Sequence, residues 1–275
     1  PFEMNIAMIS YEYNSNKICR RECRVYDQAE LILGGGINLD FYSGKLLIEE
    51  DASLIIEDSV FLHAISGSDS LVVYGDIQIG RGVRFIGDEE SNFVIDIQNQ
   101  NLSGEFNDVY FENVKLFTSC DSLVIDSSHF KNSSIWLRNE NNSYLLTSCY
   151  FDSCSFKACP IFTSYKENES RISIVNSVFN SNSGNASIYL ENFNEFSILN
   201  DSINSSNGHG ISLYNSGSIA GCMRNVENCK IHFQSAENDS SCGIMAYRSY
   251  ADINNNQISS YAHGIACLNK SSIRL

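Results

Sequence analysis

A short motif recurs through the chain at intervals too close for helices to intervene. Asp58-Ser59-Val60-Phe61, Gly82-Val83-Arg84-Phe85, Asp108-Val109-Tyr110-Phe111, Ser127-Ser128-His129-Phe130 and Ser148-Cys149-Tyr150-Phe151 each close on one large apolar anchor. Asn176-Ser177-Val178-Phe179, Asn200-Asp201-Ser202-Ile203, Arg224-Asn225-Val226 and Asn255-Asn256-Gln257-Ile258 continue the series. Separations run from 19 to 32 residues with a mean of about 25. Two positions beyond an anchor stands a polar residue, Asn113, Asn132, Ser153, Ser181, Ser205, Asn228 or Ser260. A second apolar segment follows, as in Ile135-Trp136-Leu137, Ile161-Phe162, Ile188-Tyr189-Leu190 and Ile244-Met245. A third precedes the anchor, as in Leu123-Val124-Ile125 and Ile172-Ser173-Ile174-Val175. A fixed period of this length is the signature of a solenoid or array.

Three strands of three to five residues leave no room for crossover helices, so a doubly wound α/β sheet is excluded. One coil per period stacks like strands in parallel about 4.8 Å apart. The Phe and Ile ladders then make the core. The Asn and Ser columns fall at corners, where Asn tolerates a left-handed backbone and its amide can bond its copy in the next coil. The expectation is an all-β chain of nine or ten coils.

These residues resemble the right-handed parallel β-helix of the pectate-lyase-like superfamily, over about residues 40 to 275. The resemblance implies the fold and leaves the function open, because that repeat carries lyases, hydrolases and passive surface proteins alike. Gly44 to Ile56 looks like the entry coils of large secreted surface proteins of Bacteroidota. Residues 1–40 show no repeat and contain the Gly34-Gly35-Gly36 turn, which predicts a capping or preceding segment. The β-helix is then expected over 41–275, and the coil begun at His263-Gly264-Ile265 predicts that it continues past Leu275.

Composition agrees with this reading. Ser and Asn number 42 and 31, while the apolar set is dominated by Ile, Val, Phe and Tyr, which fit a pleated surface. The longest apolar runs are far short of the ~18–20 residues that a membrane helix needs, so no membrane insertion is expected. Net charge is −15, and nearly all of it lies in residues 1–126, which hold 22 acids against 8 bases. That field repels nucleic acid.

Three residues are candidates for chemistry. Asn207-Gly208-His209-Gly210 resembles the Gly-His-Gly segment of polygalacturonases, whose His stands beside paired Asp residues acting as acid and base. One coil earlier this chain has Ser187-Ile188-Tyr189-Leu190-Glu191-Asn192, without an Asp pair. Ala262-His263-Gly264-Ile265 repeats the pattern, so His209 and His263 read as corner residues. Arg224, with Lys230 and Arg248, is a candidate base for a lyase-type elimination, but the acidic clusters Glu49-Glu50-Asp51 and Asp88-Glu89-Glu90 lie far from it in sequence. Of ten Cys, Cys154 and Cys229 sit three places after an anchor and read as buried thiols. Cys19 and Cys23 are the pair most suited to a disulfide. No metal, cofactor or catalytic set is expected.

The predicted function is a non-catalytic, secreted cell-surface β-helix with a structural, adhesive or glycan-binding role. Its expected partners are polysaccharide or surface glycan, secretion machinery or other surface proteins. The alternative is a polysaccharide lyase or glycoside hydrolase working on one coil face. Two carboxylates, or a carboxylate and a base, gathered within reach of one sugar would favour the enzyme.

Overall fold

In the computed structural model, the described residues are 5–6, 11–26, 28–89, 92–99, 103–138, 143–158, 170–182, 186–206, 208–217, 223–234 and 241–275. Glu90, Ile161-Phe162 and Asn207, all named above, lie outside them. Every element among the described residues is a strand. The fold is a parallel β-solenoid of about ten turns at about 23 residues per turn, slightly tighter than the anchor spacing predicts. The chain divides into two compact units, Pro1–Ser134 and Ile135–Leu275.

In the first unit Lys17–Val25 pairs in parallel with Asn38–Ile48, so stacking begins upstream of residue 41. Asn38–Ile48 bends across a corner and pairs with both Phe61–Ala64 and Ser70–Val73. Further turns add Arg84–Ile86 with Phe93–Ile97, then Tyr110–Glu112 with Val114–Thr118. A third face stacks Tyr11–Tyr13, Glu30–Leu33, Ser53–Ile56 and Asp76–Ile79. Apolar ladders fill the interior. Phe85 stacks on Phe111 at 5.2 Å, and Phe111 on Phe130 at 4.5 Å with the rings 3° from parallel.

The second unit repeats the plan. Arg171–Val175, Val178–Asn182 and Ala186–Glu191 make one turn, and Glu195–Leu199, Ser202–Ser205 and His209–Tyr214 make the next. Arg224–Glu227, Lys230–Phe233 and Cys242–Tyr247 follow, then Tyr250–Asn254, Gln257–Ser259 and His263–Leu268. Phe151 stacks on Phe179 at 4.5 Å, both fully buried.

Asn113, Asn132, Ser153, Asn228 and Ser260 stand at left-handed corners as the sequence predicts, whereas Ser181 and Ser205 fall inside strands. Asn176, Asn200, Asn228 and Asn255 all hold φ between 54° and 58°, and Asn113, Asn132 and Ser153 hold 47° to 55°. Asn reaches this left-handed region at less cost than other side chains that carry a Cβ.

Two anchors differ from the sequence reading. Leu62, not Phe61, is the interior mate of Phe85, and Phe61 stands outside against Arg84. A one-residue slip in a strand exchanges the two faces, and Val60-Phe61-Leu62 offers an apolar residue to either. Ile231, not Val226, pairs with Ile203 and Ile258, whereas Val226 belongs to the preceding strand with Ile198 and Ile253. The motif is Asn228-Cys229-Lys230-Ile231, so Cys229 shares its column with Asp201 rather than with Cys154.

Candidate functional site

The three sequence candidates do not converge. His209 and His263 both open the third strand of a turn, two turns apart, and Arg224 opens a first strand. His209 is half-buried and its Nδ1 accepts the backbone N–H of Cys242 at 3.0 Å. Burial lowers its pKa, as desolvation of an imidazolium requires. It therefore works as a neutral acceptor that satisfies a backbone donor in the next turn. His263 is exposed, and its backbone N–H bonds Ser241 O at 3.1 Å. Arg224 lies over the Tyr250 ring at 5.7 Å, donates to Gly217 O at 3.4 Å and has its Nε 3.9 Å from Asp252 Oδ2. Each is held by groups of its own neighbourhood.

The outer face of the first unit carries a continuous column. Arg84 lies over the rings of Phe61 and Tyr110, at 5.1 and 5.8 Å, and His129 meets Tyr110 edge-on at 5.1 Å. Beside it Glu112 accepts hydrogen bonds from Lys131 at 2.6 Å and from Tyr110 at 3.0 Å. The Lys131 hydrogen bond holds the Glu112 carboxyl below its usual range. Arg84 thus covers a face of each of the Phe61 and Tyr110 rings.

A groove of about 640 Å³ in the same unit offers more. It arises because three successive turns place the same outward positions side by side. Glu22, Lys45 and Ser70 form one column and Arg24, Leu47 and Val72 the next. Just past these strand ends stand Tyr26, Glu49 with Glu50 and Asp51, and Tyr74; all but Glu22, Ser70 and Val72 line the groove. Leu47, 5% exposed, is its apolar floor. Arg24 is ion-paired with Glu22 and lies 3.2 Å from Glu49, and Lys45 is 3.7 Å from Glu22. The Arg24 hydrogen bond is the main reason that the Glu22 carboxyl titrates low.

Two tyrosines, an apolar floor and fixed donors and acceptors in one depression suit a molecule with both hydroxyls and apolar ring faces. Sequence reasoning located Glu49-Glu50-Asp51 but not this groove. Its bases, Arg24 and Lys45, lie one turn apart, and only the register brings them to the same carboxylates. Among the described residues no group of three or more His, Cys, Asp and Glu stands ready for a metal ion. No protein-family model, curated protein or solved structure matches the chain.

Proposed function

We propose that this protein is a non-catalytic recognition solenoid of the cell surface, and that the groove of the first unit binds a glycan. The reading places the chain among pectate-lyase-like β-helices and treats its acidic face as solvated surface. The observation that supports it is the pairing of Tyr26 and Tyr74 with the Leu47 floor and the charged rim. Sugar rings bind through apolar C–H faces and peripheral hydroxyls, and this lining meets both needs. Binding of the intact protein to an array of polysaccharides tests it. Retention of one glycan class, lost in Tyr74→Ala and in Arg24→Ala, is the expected result. Absence of retention, or retention untouched by both substitutions, overturns it.

The same groove also supplies the specific observation that favours an enzyme, because it gathers three carboxylates with two bases. Arg24 is a poor general base, since a guanidinium does not give up its proton in a protein. Lys45 is ion-paired with Glu22. For a lyase or hydrolase, prolonged incubation with the retained polysaccharide must shorten it, and Glu50→Gln must stop the shortening. A binding protein leaves chain length unchanged.

A further inference from the structure

The corner at Arg21 is built differently from its counterparts in later turns. Around Ser43 the interior positions are Phe41, Gly44 and Leu46, and around Asn113 they are Phe111, Val114 and Leu116, so the outer two are five positions apart in both cases. Their counterparts one turn before Phe41 and Leu46 are Cys19 and Cys23, which pair with them in register and are only four apart. The register skips Ser43 between Arg20 and Arg21, and Arg21 takes the left-handed backbone at φ 70°. A shorter corner with two small side chains turns both inward to the same point. Their sulfurs meet at 3.4 Å, and each residue is 4% exposed. Gly44 of the next turn closes over them, since a Cβ there would lie 3.0 Å from Cys19 Sγ and 2.4 Å from Cys19 O.

We propose that Cys19 and Cys23 are a disulfide site, which cross-links the corner of this N-terminal turn when the chain meets an oxidised low-molecular-weight thiol such as glutathione disulfide. A disulfide needs its sulfurs at about 2.05 Å, so the pair must close by roughly 1.4 Å. The chemistry balances in two exchanges. One cysteine, as thiolate, attacks a sulfur of the glutathione disulfide, forms a mixed disulfide and releases one glutathione. The second thiolate attacks the cysteine sulfur of that mixed disulfide and releases the other glutathione. The two cysteines together lose two protons and two electrons, which the glutathione disulfide takes up. The hydrogen bond to Cys23, followed by burial, pushes the Cys19 thiol up. Thiolate is therefore scarce in the closed turn, so exchange proceeds when this turn opens, and the finished bond is then shielded from reduction.

Peptide mapping of the intact chain tests the proposal. The protein is equilibrated with glutathione disulfide, denatured, alkylated and cut with trypsin, which cleaves after Arg20 and Arg21, between the two cysteines. The expected result is a pair of peptides, residues 18–20 and 22–24, that travel together and separate on reduction. In Cys23→Ser the same treatment must leave Cys19 outside any such pair. Alkylation of both cysteines in the oxidised wild type, or linkage of either one to another cysteine of the chain, overturns it. Neither outcome depends on the glycan reading of the groove.

Discussion

Ser249 Oγ accepts the backbone N–H of Ser216 at 3.0 Å across one full turn of the solenoid. The relationship is repeated along the column. Phe193 N–H reaches Ser216 Oγ at 3.3 Å, and Ser249 N–H reaches Ser271 Oγ at 3.1 Å. A parallel column runs through the neighbouring corner, where Ser177 Oγ takes the N–H of Cys149, Asp201 Oδ1 that of Ser177 and Asn256 Oδ1 that of Cys229. A left-handed corner turns the N–H of the following residue along the solenoid axis, where no strand carbonyl meets it. A short polar side chain in the next turn satisfies that donor, and this is the physical reason for so much Ser and Asn.

Replacing Ser249 with Ala leaves the buried Ser216 N–H without its acceptor. Such a group costs about 1–3 kcal/mol. Chemical denaturation of Ser249→Ala is expected to show that loss, whereas exposed Ser272→Ala stays within about 0.5 kcal/mol of wild type. Equal midpoints for the two variants would remove the ladder as a source of stability.

Asp201 occupies a ladder position with a carboxyl that burial pushes up to about 8, against the lowering effect of the Ser177 N–H. The folded state then holds a proton that the unfolded chain gives up near its ordinary value of 3.8. Stability from this group is full below about pH 4 and falls as pH rises towards 8, by up to about 1.4 kcal/mol per pH unit. Asn fits the same column at Asn256, where its amide also donates to Val226 O at 2.8 Å. Asp201→Asn is therefore expected to flatten the stability profile between pH 4 and 8 and to exceed wild type at pH 8. Profiles of equal slope would sink this account.

Phe151 and Phe179 test the interior ladder. Their rings are 4.5 Å apart and 13° from parallel. Phe179→Ala is expected to cost about 3–5 kcal/mol. A double-mutant cycle with Phe151→Leu should leave a coupling of about 0.5–1.5 kcal/mol for the stack itself. Additive losses would mean that only burial matters there.

The fold was legible because a solenoid writes its core in one line of sequence. Phe111, Phe130, Phe151 and Phe179 recur at anchor positions, and each lies inside. Register was legible only where flanking residues disagree in polarity. Val60-Phe61-Leu62 is apolar throughout, and Val226 and Ile231 both lie near the expected spacing, so pattern alone chose the wrong member of each. The groove was not legible at all. Its members Arg24, Lys45 and Tyr74 lie in successive turns at unremarkable positions, and the acidic run at Glu49 is their neighbour only through parallel pairing of Lys17–Val25 with Asn38–Ile48. Motif similarity pointed instead to His209, whose Gly-flanked setting follows from a corner that opens a strand.

Arg248 is the irregular member of a corner column. The same slot holds Asn192, Asn215 and Asn269 in other turns, at φ 63°, 49° and 50°, and Arg248 adopts φ 49° there. For most L-residues this conformation costs about 1–2 kcal/mol, and Asn is among the few that visit it routinely. Arg248 recovers part of that cost by lying over the Tyr247 ring at 5.3 Å, a contact worth about 0.5–1 kcal/mol at an exposed site. Backbone relief is the larger quantity, so Arg248→Asn is expected to raise stability by several tenths of a kcal/mol to about 1 kcal/mol. Arg248→Ala removes the ring contact without relieving the backbone and is expected to lower it. Thermal or chemical midpoints of the two variants should therefore move in opposite directions from wild type. An unchanged or lowered midpoint in Arg248→Asn would show that the left-handed backbone at residue 248 carries no cost that Asn relieves.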